Sequence, residues 1–156
     1  MSSTVILLRP ESRGAVEVAS ADPRDPPLIK SRYLDFERDR QALVRGVRAV
    51  QKIMGQPALE PFFGEQIEPG ADVQSDDDMV EYLRNFGNTG FHPTSTCWMG
   101  ADATAVVDPR LRVVDASIIP AITSDNTRAP VVMIAEKGAD MLHEDAQTAP
   151  ARGAAA

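Results

Sequence analysis

Twelve prolines spread over 156 residues constrain the fold of this chain more than any other feature. Proline ends helices and removes a hydrogen-bond donor from strands, so regular elements must fit between the prolines. Asp22-Pro23 and Asp25-Pro26-Pro27 leave room only for short extended segments in the first third of the chain. We therefore predict a loop-rich chain whose strands are few and short.

The first third has the pattern of short strands. Val5 to Leu8 is an apolar run closed by Pro10, and Ala15 to Ala19 alternates apolar and polar residues. Ser12-Arg13-Gly14 is the predicted turn between these two runs, and Leu28-Ile29-Lys30 begins another extended segment. Links as short as these favour antiparallel pairing.

The first helix is predicted to begin at a capping Asp35 and to run to about Met54, with Gly55 as its end. Its residues at helical spacing form one apolar stripe: Leu43, Val47, Val50 and Met54. A connector from Pro57 to Gly70 follows, and its aromatic pair Phe62-Phe63 is expected to pack on a core.

Two further helices are predicted. Ser75 can cap the second helix, which ends at Gly87, and Asp76 to Asp78 then lie near the positive end of its dipole. A metal site is the alternative for these carboxylates, but consecutive helical side chains point in different directions, which favours the dipole. Pro130 suits the first turn of the third helix. Its predicted apolar stripe comprises Val132, Ala135, Ala139 and Leu142.

Composition excludes several classes of protein. Sixteen Lys and Arg against 23 Asp and Glu give a net charge of -7, which argues against a sequence-independent binder of nucleic acid or of anionic membranes. The single cysteine, Cys97, rules out an internal disulfide framework. Neither a membrane span of roughly 20 apolar residues nor a secretory signal is visible. We expect a cytoplasmic protein about one domain in length.

Candidate chemistry is concentrated in Phe91 to Gly100, a loop that contains His92 and Cys97. On spacing alone, His92 is at least as well explained as a structural histidine as by catalysis. A lone cysteine such as Cys97 is usually a small buried hydrophobe, and its distance of five positions from His92 is only a weak indication of a thiol nucleophile. His143, near the end of the last helix, is expected on the surface or as a cap. No Gly-x-Gly-x-x-Gly, Cys-x-x-Cys or helically spaced His pair occurs, so neither a dinucleotide fingerprint nor a metal motif is present.

A collinear series of short segments runs along the chain: Ser12-Arg13-Gly14, Asp22-Pro23, Tyr33-Leu34, His92-Pro93 to Met99-Gly100, Val107-Asp108-Pro109, Leu111-Arg112-Val113, Asp115-Ala116-Ser117, Pro120, Asn126 to Pro130, and Glu136-Lys137. From about Leu8 to Leu142, this series closely resembles the C-terminal portion of the glucose–methanol–choline (GMC) family of flavoprotein alcohol oxidoreductases. The similarity is greatest to bacterial choline-dehydrogenase-like members.

The resemblance implies an α+β fold made of pieces of two domains. Residues 4–100 would be the later part of the substrate-binding domain, an antiparallel sheet with flanking helices. Residues 101–143 would supply the returning strand and the last helix of the FAD-binding domain. Residues 144–156 would form a disordered tail.

The resemblance also implies the site residues. His92 matches the catalytic base, and Asn126 matches a partner position that is His or Asn in different members. Asp115 and Ala116 match a segment beside the flavin ribityl and diphosphate. Asn126, Thr127 and Pro130 lie in the stretch that approaches the pyrimidine side of the flavin ring. No metal is implied.

The implied activity is FAD-dependent oxidation of an alcohol, with hydride passing to flavin N5. Because the segment that holds the ADP part of FAD is missing, we expect this chain alone to bind FAD weakly or not at all. A partner chain bearing the N-terminal half would then be needed. The alternatives are a non-catalytic remnant or interaction module and, less favoured, a hydrolase that uses Cys97.

Three departures from the family pattern stand out. Besides the missing N-terminal half, about eight residues are absent between two Leu-Arg-Val copies, where Leu111-Arg112-Val113 runs directly into Val114-Asp115. We interpret this as a collapse between direct repeats. Ser95 occupies a position that is usually Gly, which would be strained if the backbone φ angle is positive. Arg128 occupies a position where Asn is common.

Overall fold

The structure is a computed structural model that describes residues 2–108 and 113–148. The chain divides into two compact units, Met1–Gly90 and Phe91–Ala156. The described elements are β1 (Ala15–Glu17), β2 (Leu28–Lys30), α1 (Glu37–Met54) and α2 (Asp76–Phe86) in the first unit, and α3 (Arg128–Thr148) in the second. Single turns of 3-10 helix lie at Glu60–Phe62 and Ala116–Ile118. The α+β fold class is confirmed.

Strands β1 and β2 form the antiparallel sheet of the first unit. Ala15 pairs with Lys30 and Glu17 with Leu28, and the Lys30 ammonium lies 2.6 Å from the Glu17 carboxylate. Gly14 lies so close to β2 that an added Cβ would clash with the carbonyl oxygen of Lys30. The predicted strands at these two places are therefore confirmed, and Gly14 is required by a close backbone approach.

The apolar run Val5 to Leu8 does not form the predicted strand, so that prediction is wrong. The Val5 side chain lies against Gly46 of α1, where the absence of a side chain makes room for it. Val5 therefore packs on a helix, whereas Ile6 and Leu8 are exposed. A short apolar run with no periodicity cannot distinguish a strand from a segment that packs on a helix.

Helix α1 begins two residues after the predicted cap. Phe36 occupies the N-cap position without a side-chain hydrogen bond, and the Asp35 carboxylate instead pairs with Arg32 at 2.8 Å. Gly55 ends the helix as predicted. The predicted stripe is half-buried along its length, and Val44 is the fully buried apolar residue of the helix.

Asp39, in the first turn of α1, is 2% exposed and binds the segment before β1. Its carboxylate accepts hydrogen bonds from the Glu11 N–H at 2.8 Å and the Ser12 N–H at 2.8 Å. The Ser12 hydroxyl donates a third hydrogen bond at 2.6 Å. Burial raises the pKa of Asp39, but these hydrogen bonds and the nearby Arg13 charge outweigh it and leave the pKa lowered. We call this arrangement the Asp39 clamp.

Helix α2 has the capping box that its sequence predicts. Ser75 Oγ accepts from the Asp78 N–H at 3.0 Å, and the Asp78 carboxylate accepts from the Ser75 N–H at 2.9 Å. Met79 is fully buried, and Phe86 is exposed and stacks on Tyr82 with 5.0 Å between ring centroids. The connector before α2 was expected to dock both aromatic residues, but Phe62 is 74% exposed.

The second unit is built around a small core of Val107 and Ile118. Partly buried residues pack on it: Cys97, Met99, Val113, Ile134 and Met141. The Met99 N–H donates to the Ile118 carbonyl at 2.9 Å, and Met99 forms an isolated parallel bridge with Val107. The apolar pairs Val106-Val107 and Val113-Val114 have the sequence pattern of short buried strands. In the described residues only the bridge at Val107 is formed there, so the returning strand that the resemblance implies is not seen.

Helix α3 begins at Arg128 and includes Pro130 in its first turn, as predicted. Its predicted apolar stripe is wrong, because Val132 is 52% and Leu142 63% exposed. The α3 side chains that pack on the core are those of Ile134 and Met141. Gly138 is buried and Val131 half-buried in the neighbouring stripe. The helix continues to Thr148, so residues 144–148 are helical rather than disordered. Residues 149–156 lie outside the described residues.

The boundary between the compact units falls after Gly90, whereas the family resemblance divides the chain at Gly100. Residues 91–100 belong to the second unit because their backbone hydrogen-bonds to it: the Cys97 N–H donates to Ser117 and the Gly100 N–H to Val107. The assignment of 4–100 and 101–143 to two domains of a complete enzyme stays a prediction.

Candidate functional site

The second unit brings His92 next to the residue that precedes α3. His92 Nδ1 lies 2.9 Å from Thr127 Oγ1, and the imidazole is half-buried while Thr127 is 7% exposed. Thirty-five positions of sequence separate these two side chains. The link could have been suspected from the sequence because a threonine directly before a helix carries a hydroxyl that needs a partner.

The start of α3 is organised by Asn126 and Thr127 together. The Thr127 carbonyl accepts from the Val131 N–H at 3.0 Å, which makes Thr127 the N-cap residue. Asn126 Oδ1 accepts from the Arg128 N–H at 2.9 Å. Pro130 has no N–H to donate. Asn126 therefore lies beside Thr127 in an exposed position, and its oxygen is already engaged with the helix.

Asp115 and Ala116 lie at the 3-10 turn that leads into the core residue Ile118. Asp115 is exposed, and its carboxylate accepts from the Ser117 N–H at 2.7 Å. Hydrogen bonding by the side chain and backbone of Ser117 lowers the pKa of Asp115. The carboxylate is thus charged at neutral pH and remains accessible to a ligand that donates hydrogen bonds.

Ser95 adopts the left-handed conformation that the family position predicts for glycine, with φ of 72°. Its hydroxyl donates to the Ile119 carbonyl at 2.6 Å, which ties the His92 loop to the core. The backbone conformation of a non-glycine residue here costs about 1 kcal/mol or more, and the hydrogen bond offsets part of that cost.

Cys97 has the surroundings of a structural residue. It packs on the Val107 and Ile118 core, and its N–H continues the backbone pairing with Ser117. The Nδ1 atom of His92 is engaged with Thr127. These contacts favour the interpretation of Cys97 as a small hydrophobe.

Metal clusters and helices that could cross a membrane are absent from the part of the chain that the structure describes. There, no group of three His, Cys, Asp or Glu side chains is placed to hold a metal ion. No described helix combines the length and apolar character needed to cross a membrane. His143 is exposed on α3, and its Nε2 lies 2.9 Å from Gln147 Nε2.

A sequence model of the GMC oxidoreductase family matches residues 10–135. The oxygen-dependent choline dehydrogenase of Pseudomonas savastanoi pv. phaseolicola is 47% identical, over 86% of this chain and 25% of that protein. This chain therefore spans about a quarter of the length of the curated relatives it matches.

Solved structures of oxidases are likewise similar to this chain over about a quarter of their own length. Pyridoxine 4-oxidase from Mesorbium loti superposes with a TM-score of 0.81 at 33% identity, covering 88% of this chain and 28% of that one. A formate oxidase variant of Aspergillus oryzae RIB40, solved to study FAD modification, has a TM-score of 0.81 at 29% identity. It covers 91% of this chain and 26% of its own.

The alignment with the choline dehydrogenase contains positions that this chain lacks. It runs over 143 positions, whereas 86% of 156 residues is about 134, a difference of about nine. This difference is close to the predicted loss of about eight residues beside Leu111-Arg112-Val113. Residues 109–112 lie outside the described residues, and the collapse between repeats stays a prediction, which resequencing of the source locus would test.

Proposed function

Because the chain belongs to the GMC oxidoreductase family, we propose that it forms the C-terminal part of an FAD-dependent enzyme that oxidises a CH–OH group to an aldehyde. The observation that carries the proposal is the half-buried His92 imidazole, held through Nδ1 at the start of α3 beside Asn126. In this proposal, His92 is the base and Asn126 contacts the substrate oxygen. The substrate is a small-molecule alcohol, and choline, named in the relatives, is the first to test.

His92 suits the removal of a hydroxyl proton. Imidazole is the side chain whose ordinary pKa lies nearest to neutral pH, and a well-placed base contributes roughly 10²–10⁴ in rate. Since Nδ1 is engaged with Thr127, Nε2 is the nitrogen left to meet a substrate. Partial burial of the ring limits the competition of water for that nitrogen.

Asn126 suits the stabilisation of the charge that develops on the substrate oxygen. Its Oδ1 accepts from the Arg128 N–H, so its NH₂ group is the part that remains to donate. An amide carries no titratable proton, and its contribution is a fixed dipole aimed at an alkoxide oxygen.

The described residues fit the flavin-ring side of FAD and not its diphosphate. The first turns of α1 and α2 carry carboxylates, whereas α3 begins with Arg128 and has no acidic residue in its first turn. The Ala129 N–H there has no acceptor within the helix and can donate to a ring carbonyl. The charged Asp115 carboxylate suits ribityl hydroxyls, which donate to it, and would repel a phosphate.

FAD, when bound, supplies the hydride acceptor. Thr127 to Pro130 would lie along the ring, and Asp115 and Ala116 along the ribityl chain. No glycine-rich loop that opens onto a helix is found in residues 2–108 and 113–148, so the anchor for the ADP part must come from the remaining three quarters of the family architecture.

Exposed apolar residues support the need for that remaining part. On α3, Val132, Met133 and Leu142 are exposed, and in the first unit both strands are exposed along their whole length. Exposed apolar side chains mark a contact site where they adjoin one another. The missing part would be supplied by a second chain or by a longer form of this one.

The test is reconstitution. This chain is purified alone and together with the complementary N-terminal three quarters of the choline dehydrogenase relative. The flavin absorbance and choline-dependent reduction of a dye are then recorded for both preparations. We expect bound flavin and turnover only in the combined preparation.

Two histidine variants test the role of His92 in the reconstituted preparation. His92→Ala should lower turnover by about 10²-fold or more while flavin remains bound. The matched control is His143→Ala, which removes the only other histidine, an exposed residue of α3, and should leave turnover unchanged. Absence of flavin from both preparations would reject the enzyme and favour the non-catalytic remnant.

A further inference from the structure

The N-cap residue of α3 does not perform the usual task of an N-cap side chain. A capping threonine normally uses its oxygen to accept from the N–H of the second or third helical residue. Here the third helical residue is Pro130, which has no N–H. The N–H of the second helical residue, Ala129, makes no hydrogen bond to Thr127 Oγ1, and the N–H of the first, Arg128, is taken by Asn126 Oδ1. The oxygen of Thr127 is therefore buried without a helical donor and faces His92 Nδ1 at 2.9 Å.

We propose that Thr127 is a positioning residue that sets the tautomer of His92, its hydroxyl oxygen accepting a hydrogen bond from Nδ1–H. A neutral imidazole has one protonated and one unprotonated nitrogen, and the hydrogen bond made by one nitrogen decides the state of the other. With the proton on Nδ1, the lone pair lies on Nε2. That is the nitrogen which must accept the substrate proton, so the inference rests on the proposed role of His92 as base.

The same contact serves both protonation states of the ring. When Nε2 takes up a proton, the imidazolium still carries Nδ1–H, and the hydrogen bond to Thr127 is kept. The ring therefore need not rotate between the two states. Burial of Thr127 strengthens the contact because water does not compete for the hydroxyl.

Pro130 has a defined part in this arrangement. Any other residue at that position would add an N–H in the first turn, and this N–H would compete with His92 for the oxygen of Thr127. The proline thus removes one of the two backbone donors, those of Ala129 and of residue 130, that could compete with the imidazole for this oxygen. Its second effect, a good fit to the first helical turn, is independent of His92.

The experiment is ¹⁵N NMR of the imidazoles in the purified full chain at about pH 8, where imidazoles are largely neutral. The chain has only two histidines, and His143→Ala assigns the signals of His92. In the unsubstituted chain we expect His92 mainly as the Nδ1–H tautomer. Thr127→Val, which keeps the side-chain shape, should lower the ratio of Nδ1–H to Nε2–H by about three- to tenfold. Thr127→Ser should restore the ratio.

Pro130→Ala is the second variant, and it leaves both Thr127 and His92 in place. The new N–H should lower the Nδ1–H fraction of His92 in the same direction as Thr127→Val. A majority of Nε2–H in the unsubstituted chain would overturn the proposal, even if Thr127→Val does not fold. A ratio unchanged in both folded variants would also overturn it.

The tautomer is measured without flavin or alcohol, so its outcome is distinguishable from that of the proposed oxidoreductase function. A chain with the Nδ1–H tautomer that never turns over after reconstitution would refute the function and leave the tautomer assignment standing. If turnover is obtained, Thr127→Val should lower kcat and alter its pH profile, and Thr127→Ser should recover most of both.

Discussion

Replacing Asp39 by asparagine tests whether the Asp39 clamp holds the segment before β1 to α1. The substitution keeps the size and shape of the side chain but exchanges one carboxylate oxygen for an NH₂ group. Oδ2, the oxygen nearest to Ser12, accepts from its N–H at 2.8 Å and from its hydroxyl at 2.6 Å. In the variant, an NH₂ donor would face the Ser12 N–H donor, and the charge would be lost.

The expected cost follows from the number of donors affected. A hydrogen bond to a charged group contributes about 1.5–3 kcal/mol, and a buried donor left without an acceptor adds a penalty of about 1–3 kcal/mol. The Ser12 hydroxyl can rotate to accept from the new NH₂ group, so its loss is partly recovered. We expect Asp39→Asn to lower the free energy of unfolding of the first unit by about 3 kcal/mol.

The stability cost of Asp39→Asn should become smaller as the pH is lowered. Because the pKa of Asp39 is lowered in the folded state, its contribution is fully present above the ordinary carboxyl pKa of about 4 and is lost as the pH falls through the lower folded value. Protonated aspartic acid resembles asparagine. The stability difference between the unsubstituted chain and Asp39→Asn should therefore be constant above about pH 5 and narrow below about pH 4.

Urea unfolding followed by far-UV circular dichroism measures the free energy of unfolding of each variant and the dependence of that free energy on pH. The control is Asp35→Asn, which removes an exposed carboxylate paired with Arg32 and should cost less than about 1 kcal/mol. A difference between the Asp39 and Asp35 variants below about 0.5 kcal/mol at neutral pH would refute the reasoning. So would a stability gap for Asp39→Asn that widens on acidification.

Three further predictions concern stability. Ser75→Ala removes one half of the capping box of α2 and should lower the free energy of unfolding by about 1 kcal/mol. Urea unfolding followed by far-UV circular dichroism measures this change. Ser95→Gly should be more stable than Ser95→Ala by about 1 kcal/mol, because both variants lose the hydrogen bond to Ile119 and only glycine relieves the positive φ. Trp98 fluorescence follows the unfolding of each variant, and equal stabilities would contradict backbone strain at this position. Ile118→Ala should cost about 3 kcal/mol by the same fluorescence, whereas the exposed Val106→Ala should cost under about 0.5 kcal/mol.

Local chemistry made α2 predictable from the sequence. Ser75 and Asp78 satisfy each other within one turn, so no distant residue is needed to fix where that helix begins. Asp35 offered the same local signal at α1, yet Arg32 competes for its carboxylate and the helix begins at Glu37. The buried acceptor of that helix is Asp39, whose donors lie 27 and 28 positions away, and periodicity carries no information about them.

In the candidate site, too, local chemistry could be predicted from the sequence, whereas tertiary contacts could not. The residues Asn126, Thr127 and Pro130 were found by resemblance, and their contribution to the start of α3 follows from capping chemistry. The pairing of His92 with Thr127 is tertiary and was not predicted. The apolar stripe of α3 was misassigned because Val132 and Val131 are equally apolar in sequence, and only the position of the core distinguishes them.

The two-stranded sheet has a consequence for local stability. Strands β1 and β2 are exposed on every residue, and an isolated two-stranded sheet is marginally stable in water. Its amide protons should therefore exchange with solvent through frequent local opening, far more often than those of α1. If the proposed complementary chain covers or extends this sheet, exchange at Val16 and Ile29 should slow when that chain binds. These amides would then report assembly without reference to flavin, alcohol or turnover.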